Sequence, residues 1–566
     1  MGEGDRKWDK YLRTLSHGTR DSNLAADPSL LHSVKKLHEL CKEDKSEDMV
    51  ARVYPHINKL FQRSVASLSQ SSPPNSYGLL LLAILQFFLD FGETALHDAD
   101  PSLRTFFRSC LSREFADPVV AEATLEFLNL NKKKLSTSFP TLLPQFFPLL
   151  LKLIAWNGER LEKSFLKVFP GLISTGSFLP LFPSLVDLPI LVFALEKVER
   201  SSGTLIGSSI ASIQKSTAPE MLLALMDEAY TGSTIGDGGA DSESEDSSAI
   251  DVADPLFLEL LKDENDGLAE RHWTSPAMAA ALQAAINTRQ SDRLKQALKM
   301  TPRILDLYFS IALRDVNNSL ICALIPLLMS RNDTMFPDKL FSYEVRKRFL
   351  EFMLAAFQRS PDFIALLKKP VVDRLGEAYD NSAKAELALH LCWAIGEHGG
   401  GGASHKDAAR ELFESLELLL YESLSSSRSG LRDSSPGSTG GNFRKTSQSR
   451  LLCFVVTAIA KLATYHRELL PRARVSLGKV ARSRISDARV WKRARDYLGL
   501  MNEPGICLSV LGPSRPSQGQ MQSPGTVNWS DAGTKMIAHI PFYILGEQEG
   551  PPFHDFSFAD VFPRRQ

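Results

Sequence analysis

Nine cations crowd one stretch near the carboxyl end of the sequence: Arg472, Arg474, Lys479, Arg482, Arg484, Arg489, Lys492, Arg493 and Arg495, against the single acid Asp487. Such a run can hold anionic lipid headgroups or an acidic partner surface. It also fits the solvated outer side of two helices whose inner side carries Leu477, Val480, Ile485, Val490 and Leu498. A phosphate loop would need the order GxxxxGK[ST], and the pair Gly478-Lys479 is followed by Val480 with Ala473 where the first glycine belongs. The acids Asp263, Glu264 and Asp266 around Asn265 resemble a helicase box only superficially, since they follow an apolar PLFLELLK stretch and no phosphate loop.

Metal and nucleophile chemistry is equally thin. The twelve histidines are scattered, and no HExxH, GxSxG or metal-spaced Cys/His cluster occurs. His398 and His405 flank four glycines, Gly399 to Gly402, which read as a helix stop and turn more readily than as a metal or phosphate loop. Cys392 beside Trp393 reads as a buried thiol on a helix face. Ser242 and Ser244 lie among acids and suit an acid-directed kinase, or simply a solvated loop. The expectation is a non-enzyme with no catalytic residue, no cofactor and no metal.

The elements around these residues follow one grammar: a short polar residue, then proline, then apolar residues at helical spacing. The pairs are Asp27-Pro28, Asp100-Pro101, Asp117-Pro118, Asp254-Pro255, Ser275-Pro276, Thr301-Pro302 and Ser360-Pro361. Asp, Ser and Thr accept from the free N–H groups of a first helical turn, and proline at the next position needs no donor, so each pair predicts a helix start. After Phe341, the residues Val345, Phe349, Phe352, Met353 and Ala356 share a face. Leu387, Leu391, Ala394 and Ile395 make a second stripe, and Met278, Leu282 and Ala285 a weaker one.

Short turns such as Asn287 to Asp292 imply antiparallel hairpins. Two helices with their turns, as from Asp100 to Phe139, take about 40 residues, the length of a HEAT-type repeat. One pair cannot bury both faces, so successive pairs must stack. The predicted fold is all-α, a HEAT/armadillo-like α-solenoid of stacked antiparallel helix pairs, with disordered loops and a short irregular tail.

Composition bounds the rest. A chain of 566 residues could hold roughly four domains or one long array. Its 65 basic and 66 acidic residues give a net charge of −1, too balanced for a generic polyanion binder, and no nucleic-acid partner is expected. Six dispersed cysteines, Arg6 in place of a myristoylation Ser or Thr, and no apolar leader predict a cytoplasmic protein. The most apolar window, Leu79 to Phe91, contains Gln86 and Asp90 and falls short of the roughly 20 residues that cross a bilayer.

The predicted organisation runs in six parts. Residues 1–230 form the N-terminal half of the solenoid, 231–254 a disordered acidic Gly/Ser loop, and 255–424 the central solenoid. A second Ser/Gly loop is expected at 425–449, basic helices at 450–512, and a linker with an irregular tail at 513–566.

The segment Trp393-Ala394-Ile395-Gly396-Glu397-His398-Gly399 resembles the W-x-[IVL]-G-E-[YF]-G signature in the trunk of large adaptins, the solenoid subunits of vesicle adaptor complexes, with His398 replacing the usual aromatic. In that reading Trp393 anchors a core, Gly396 permits close helix packing and Glu397 ties adjacent turns. The block from Phe336 to Gly399 is similar to the zeta-subunit family of the fifth adaptor complex, and a weaker likeness extends over Ser275 to Arg331.

The resemblance implies a scaffold in a heterotetramer with beta, mu and sigma subunits, associated with spatacsin and spastizin. It would work in endosomal and lysosomal sorting, peripheral on the cytosolic face of late endosome and lysosome membranes. No recognisable ear domain or clathrin-box segment follows the basic helices, which speaks against direct clathrin recruitment. Two other readings compete: a freestanding karyopherin-like cargo receptor, and an ATP-dependent helicase, which the missing phosphate loop and neutral charge disfavour.

Overall fold

The computed structural model describes residues 3–18, 28–44, 47–68, 77–202, 291–380, 384–399, 405–429, 440–483 and 488–511. Among them every regular element is a helix and no strand occurs. The acidic loop 231–254, the Met278 stripe, the turn at 287–290, the Asp254-Pro255 and Ser275-Pro276 pairs and the tail 513–566 lie outside the described residues. The chain divides into two compact units, 1–308 with 336–341, and 309–335 with 342–566.

The first unit holds α1 (Glu3–Gly18), α2 (Pro28–Asp44), α3 (Glu47–Leu68), α4 (Gly78–Ala95), α5 (Ala99–Thr105), α6 (Pro118–Leu130), α7 (Lys132–Ser138), α8 (Phe147–Asn157), α9 (Glu159–Val168), α10 (Phe178–Val186) and α11 (Leu188–Ser202). Neighbours in sequence are neighbours in space: α1 packs on α2, α3 on α4, and α4 reaches on to α6, which carries α9. These are stacked helix pairs, as the periodicity requires.

Helix α4 is apolar over 18 residues, and by length and composition alone it would pass for a membrane span. It is longer than the window read from the sequence, yet it serves as a core helix: Leu81, Ile84, Leu85, Phe87 and Phe88 are buried against its neighbours. Its polar residues are built into those contacts. Asp90 accepts from His38 Nε2 at 2.9 Å, from Gln86 at 3.0 Å and from Lys134 at 3.2 Å, and so joins α2, α4 and α7. Burial alone would raise the Asp90 carboxyl, but the hydrogen bonds from His38, Gln86 and Lys134 outweigh it and hold the group far below the ordinary carboxylate range.

The proline rule succeeds where capping is local and fails where packing overrides it. Helix α6 begins at Pro118 with Asp117 accepting from the N–H groups of Val119 and Val120, and α2 begins at Pro28. At Asp100-Pro101 the helix starts two residues earlier, at Ala99, because Asp98 is the cap, while Asp100 takes Arg104 Nε at 2.6 Å. Ser360-Pro361 marks the turn after a helix, with Phe363–Leu366 beginning two residues on.

Thr301-Pro302 is the clearest correction, since it lies inside α12 (Asp292–Asp315). That helix starts at Asp292, where Ser291 Oγ accepts from the Leu294 N–H at 3.0 Å. The stripe Leu294, Ala297, Met300, Ile304, Leu305 and Tyr308 runs buried through the proline. Burial on this scale offsets the roughly 3 kcal/mol that an interior proline costs.

The second unit continues with α13 (Asn318–Arg331), α14 (Lys339–Arg359), α15 (Lys368–Asp380), α16 (Ala385–His398), α17 (Lys406–Ser429), α18 (Gly440–Tyr465), α19 (Leu470–Arg482), α20 (Ala488–Leu500) and α21 (Pro504–Leu511). Phe349, Phe352, Met353 and Ala356 of α14 and Leu387, Leu391, Ala394 and Ile395 of α16 are buried, as their spacing predicts. Pairs α15/α16, α17/α18 and α19/α20 form two rows, with α16 against α18 against α20 and α15 against α17.

The expected Ser/Gly loop at 425–449 shrinks, because α17 runs through Ser429 and α18 begins at Gly440. Extending an existing helix costs one residue's entropy per hydrogen bond gained, so serines at a helix end are tolerated.

Candidate functional site

The second unit gathers both groups of residues singled out by sequence. The adaptin-like segment lies in α16, on the seam with α18. A Cβ on Gly396 would come within 3.2 Å of Ala458 Cα and 3.3 Å of Lys461 Cδ, so the missing side chain sets how closely these helices approach. One residue on, Glu397 is ion-paired to Lys461 across the seam, with side chains 3% and 4% exposed. His466 Nε2 faces the Gly399 carbonyl at 3.4 Å where the two helices end.

Trp393 departs from the expected core anchor. It is half-buried, with its ring edge-on to His398 at 5.8 Å. The buried side of α16 falls on Cys392, Ala394 and Ile395 instead, because Trp393 sits a residue off the apolar stripe. Burial pushes the Cys392 thiol far above its ordinary range, which leaves it unreactive as a thiolate.

The seam yields a graded expectation. Gly396→Ala gains about 1 kcal/mol of helix propensity and loses a similar amount to crowding against Ala458, so its melting temperature should stay close to the wild type. Gly396→Val drives a branched side chain into the seam and should cost about 1–3 kcal/mol, visible as a lowered thermal transition. Equal stability of the two variants would show that the seam is not tightly packed.

The basic stretch lies on α19 and α20, and the structure sorts its members. Arg472 is committed internally: its guanidinium pairs with Glu414 at 2.9 Å and Glu417 at 2.5 Å on α17. Glu417 also accepts from Ser476 Oγ, which meets Tyr421 Oη at 2.7 Å. Arg493 is buried, with Thr457 and Tyr497 hydroxyls each at 3.5 Å. Arg474 donates to the Met501 carbonyl at 2.8 Å.

Lys479 lies over the Tyr421 ring at 4.3 Å, and Arg482 Nε reaches only its own helix at Gly478 O. Arg495 lies 5.6 Å from the Trp491 ring centroid. Lys492 is exposed and Arg489 half-buried, while Arg484 lies outside the described residues. Among the described members, Arg472 is ion-paired and Arg493 buried, while Lys479, Arg482, Lys492 and Arg495 are exposed.

Among the described residues, the other side chains singled out by sequence are not brought together. Gly478 and Lys479 are helical and form no phosphate loop. His405 faces Asp362 at 3.5 Å and His398 faces Trp393 and Phe357, so the two histidines do not share a site. Among the described residues no cluster of three metal-ligating side chains occurs. Asp263 to Asp266, Ser242 and Ser244 lie outside them.

Sequence reasoning missed Lys461, although a single cation inside the run LLCFVVTAIAKLATY was a usable signal that a buried partner exists. It also missed Arg359, whose guanidinium donates to the carbonyls of Leu313 at 2.5 Å and Val316 at 3.1 Å, closing the end of α12.

Comparison with known proteins completes the picture. A family model described as an AP-5 complex subunit in vesicle trafficking matches residues 25–152. A second, described as the C-terminal TPR repeats of AP-5 complex subunit zeta-1, matches residues 244–526, half of the chain. Mouse AP-5 complex subunit zeta-1 is 25% identical over 519 residues, covering 88% of this chain and 57% of the mouse protein. Human AP-5 complex subunit zeta-1 is 25% identical over 520 residues, covering 89% and 57%. The chain thus spans a little over half the length of the curated relatives it matches. No solved structure matches it.

Proposed function

We propose, from the premise that this chain belongs to the AP-5 complex zeta subunit family, that it is a non-enzymatic scaffold subunit of a heterotetrameric vesicle adaptor. Its partners in this reading are the beta, mu and sigma subunits of the same complex, with spatacsin and spastizin associated. Its place is peripheral, on the cytosolic face of late endosome and lysosome membranes, and its work is endosomal and lysosomal protein sorting.

The observation that carries the reading is the family match over residues 244–526, which takes in the Gly396 seam and all nine basic positions. The fold suits the task. Rows of helices such as α16, α18 and α20 offer continuous faces on which modest contacts can be spread over several repeats. The TPR label of the family and the HEAT-like reading of the sequence describe the same device, antiparallel helix pairs stacked in a row.

Gentle affinity purification of the tagged chain from its native cell, with stoichiometry of what is bound, tests this reading. Near-equimolar beta, mu and sigma subunits are expected. Recovery of the chain alone, or with nuclear transport proteins, would favour a freestanding receptor and reject the scaffold.

A further inference from the structure

We propose that the outer faces of α19 and α20 form a docking surface for an anionic phospholipid bilayer, carried by Lys479, Arg482, Lys492 and Arg495. The inference rests on the adaptor reading only in that an adaptor works against a membrane. Its residues are described members of the basic run that are exposed and make no ion pair among the described residues.

Both helices lay their apolar sides inward, on α18 and on each other: Ala473, Leu477 and Val480 from α19, and Val490, Ala494 and Tyr497 from α20, are buried. At helical spacing Val475, Lys479 and Arg482 then fall on the opposite side of α19, and Lys492, Arg495 and Asp496 on the opposite side of α20, and all are exposed. Asp496 is the only carboxylate on these two outer faces. Lys492 makes no ion pair among the described residues, and neither do Lys479, Arg482 and Arg495, whose contacts are an aromatic ring or a backbone carbonyl.

Charge of this kind fits a diffuse anionic surface. The four cations are distributed over two helices, which suits a spread of headgroups better than a single bound phosphate group. Val475, 56% exposed, and the half-buried indole of Trp491 lie among them. An apolar side chain and an indole beside lysine and arginine suit the headgroup level of a bilayer, where amphipathic rings settle and long basic side chains reach outward. Pairing with Glu414 and Glu417 offsets the charge of Arg472, and burial removes Arg493 from the surface.

The test is sedimentation of the purified full chain with vesicles of phosphatidylcholine containing roughly one-fifth phosphatidylserine, beside pure phosphatidylcholine. Binding is expected to the anionic vesicles only, and to be lost in about 1 M salt, where the screening length falls to about 3 Å. Each near-surface cation changes partitioning about fivefold, so replacing all four by glutamine should weaken binding several hundred-fold. Arg472→Gln should leave binding within about twofold.

If the fourfold variant loses its helical circular dichroism, Lys492→Gln alone decides, with an expected fivefold loss. Unchanged binding of a folded variant, or equal binding to neutral vesicles, overturns the proposal. So does binding to polyglutamate through the same four residues without binding to vesicles, which would make the surface a protein interface. Failure here leaves the recovery of beta, mu and sigma subunits unaffected, so the two proposals fail separately.

Discussion

Replacing Glu397 by alanine is expected to destabilise the second unit by about 3–5 kcal/mol, and Lys461→Ala by a similar amount. The reason is the state of the charge that remains. Glu397 and Lys461 are both almost completely withdrawn from water at the α16/α18 seam, and each meets the opposite charge of the other there. Removing one partner leaves an uncompensated ion in a site that cannot rehydrate without opening the seam. Because Gly396 brings the helices close at this level, water has little room to enter and relieve the cost.

The paired substitution Glu397→Met with Lys461→Met should recover most of the loss, since apolar side chains of similar volume have no charge to desolvate. Thermal unfolding gives the readout: for a unit of this size, each kcal/mol moves the transition by about 2–4 °C, so the single variants should melt roughly 10 °C early. Losses below about 1 kcal/mol in both single variants, typical of an exposed pair, would sink the account. A non-additive recovery in the double variant is the signature of direct coupling across the seam.

How far the sequence could be read depended on whether the governing interaction was local. The stripes Val345 to Ala356 and Leu387 to Ile395 repeat at helical spacing, and both faces are buried as read. Asp117 caps the helix that follows it because donor and acceptor lie within three residues of each other. Thr301-Pro302 carried the same local signal and was misread, since what keeps α12 unbroken there is burial against distant helices. The basic run shows the same limit. Its composition was plain, but the pairing of Arg472 with Glu414 and Glu417 depends on a helix more than fifty residues away. Trp393 looked like an anchor by type, while its position relative to the apolar stripe leaves it half-buried. The family resemblance around Gly396 needed no such contacts, because it rests on residues adjacent in sequence.

Tyr308→Ala is expected to cost the first unit about 3–5 kcal/mol, the range for deleting a large ring from a close-packed core. The side chain is fully buried, its ring parallel to Phe178 at 5.1 Å and also near Phe182 at 6.2 Å. Its hydroxyl donates to the Phe178 carbonyl at 2.8 Å. Burial holds the phenol protonated far above its ordinary range, so this donor persists at every working pH. The contact seats α12 on α10, joining parts of the chain separated by 130 positions.

Three further side chains of α12 reach α8 and α9: Arg293 lies 3.7 Å from the Trp156 ring centroid, Gln296 accepts from the Glu159 N–H at 3.2 Å, and Arg303 pairs with Glu159 and Glu162. Arg303 and Glu159 in these contacts are about half exposed. Polar contacts at such a rim contribute less than the buried ring, so they are not expected to hold α12 once the ring is gone. Tyr308→Phe separates the two roles of the residue, since it keeps the stacked ring and removes one hydrogen bond, for an expected cost of about 1 kcal/mol. Hydrogen exchange along α12 is the direct readout: Tyr308→Ala should raise exchange from Asp292 to Tyr308, while Tyr308→Phe leaves it nearly protected. Equal exchange in the two variants would mean that the hydroxyl, and not the buried ring, fixes this helix.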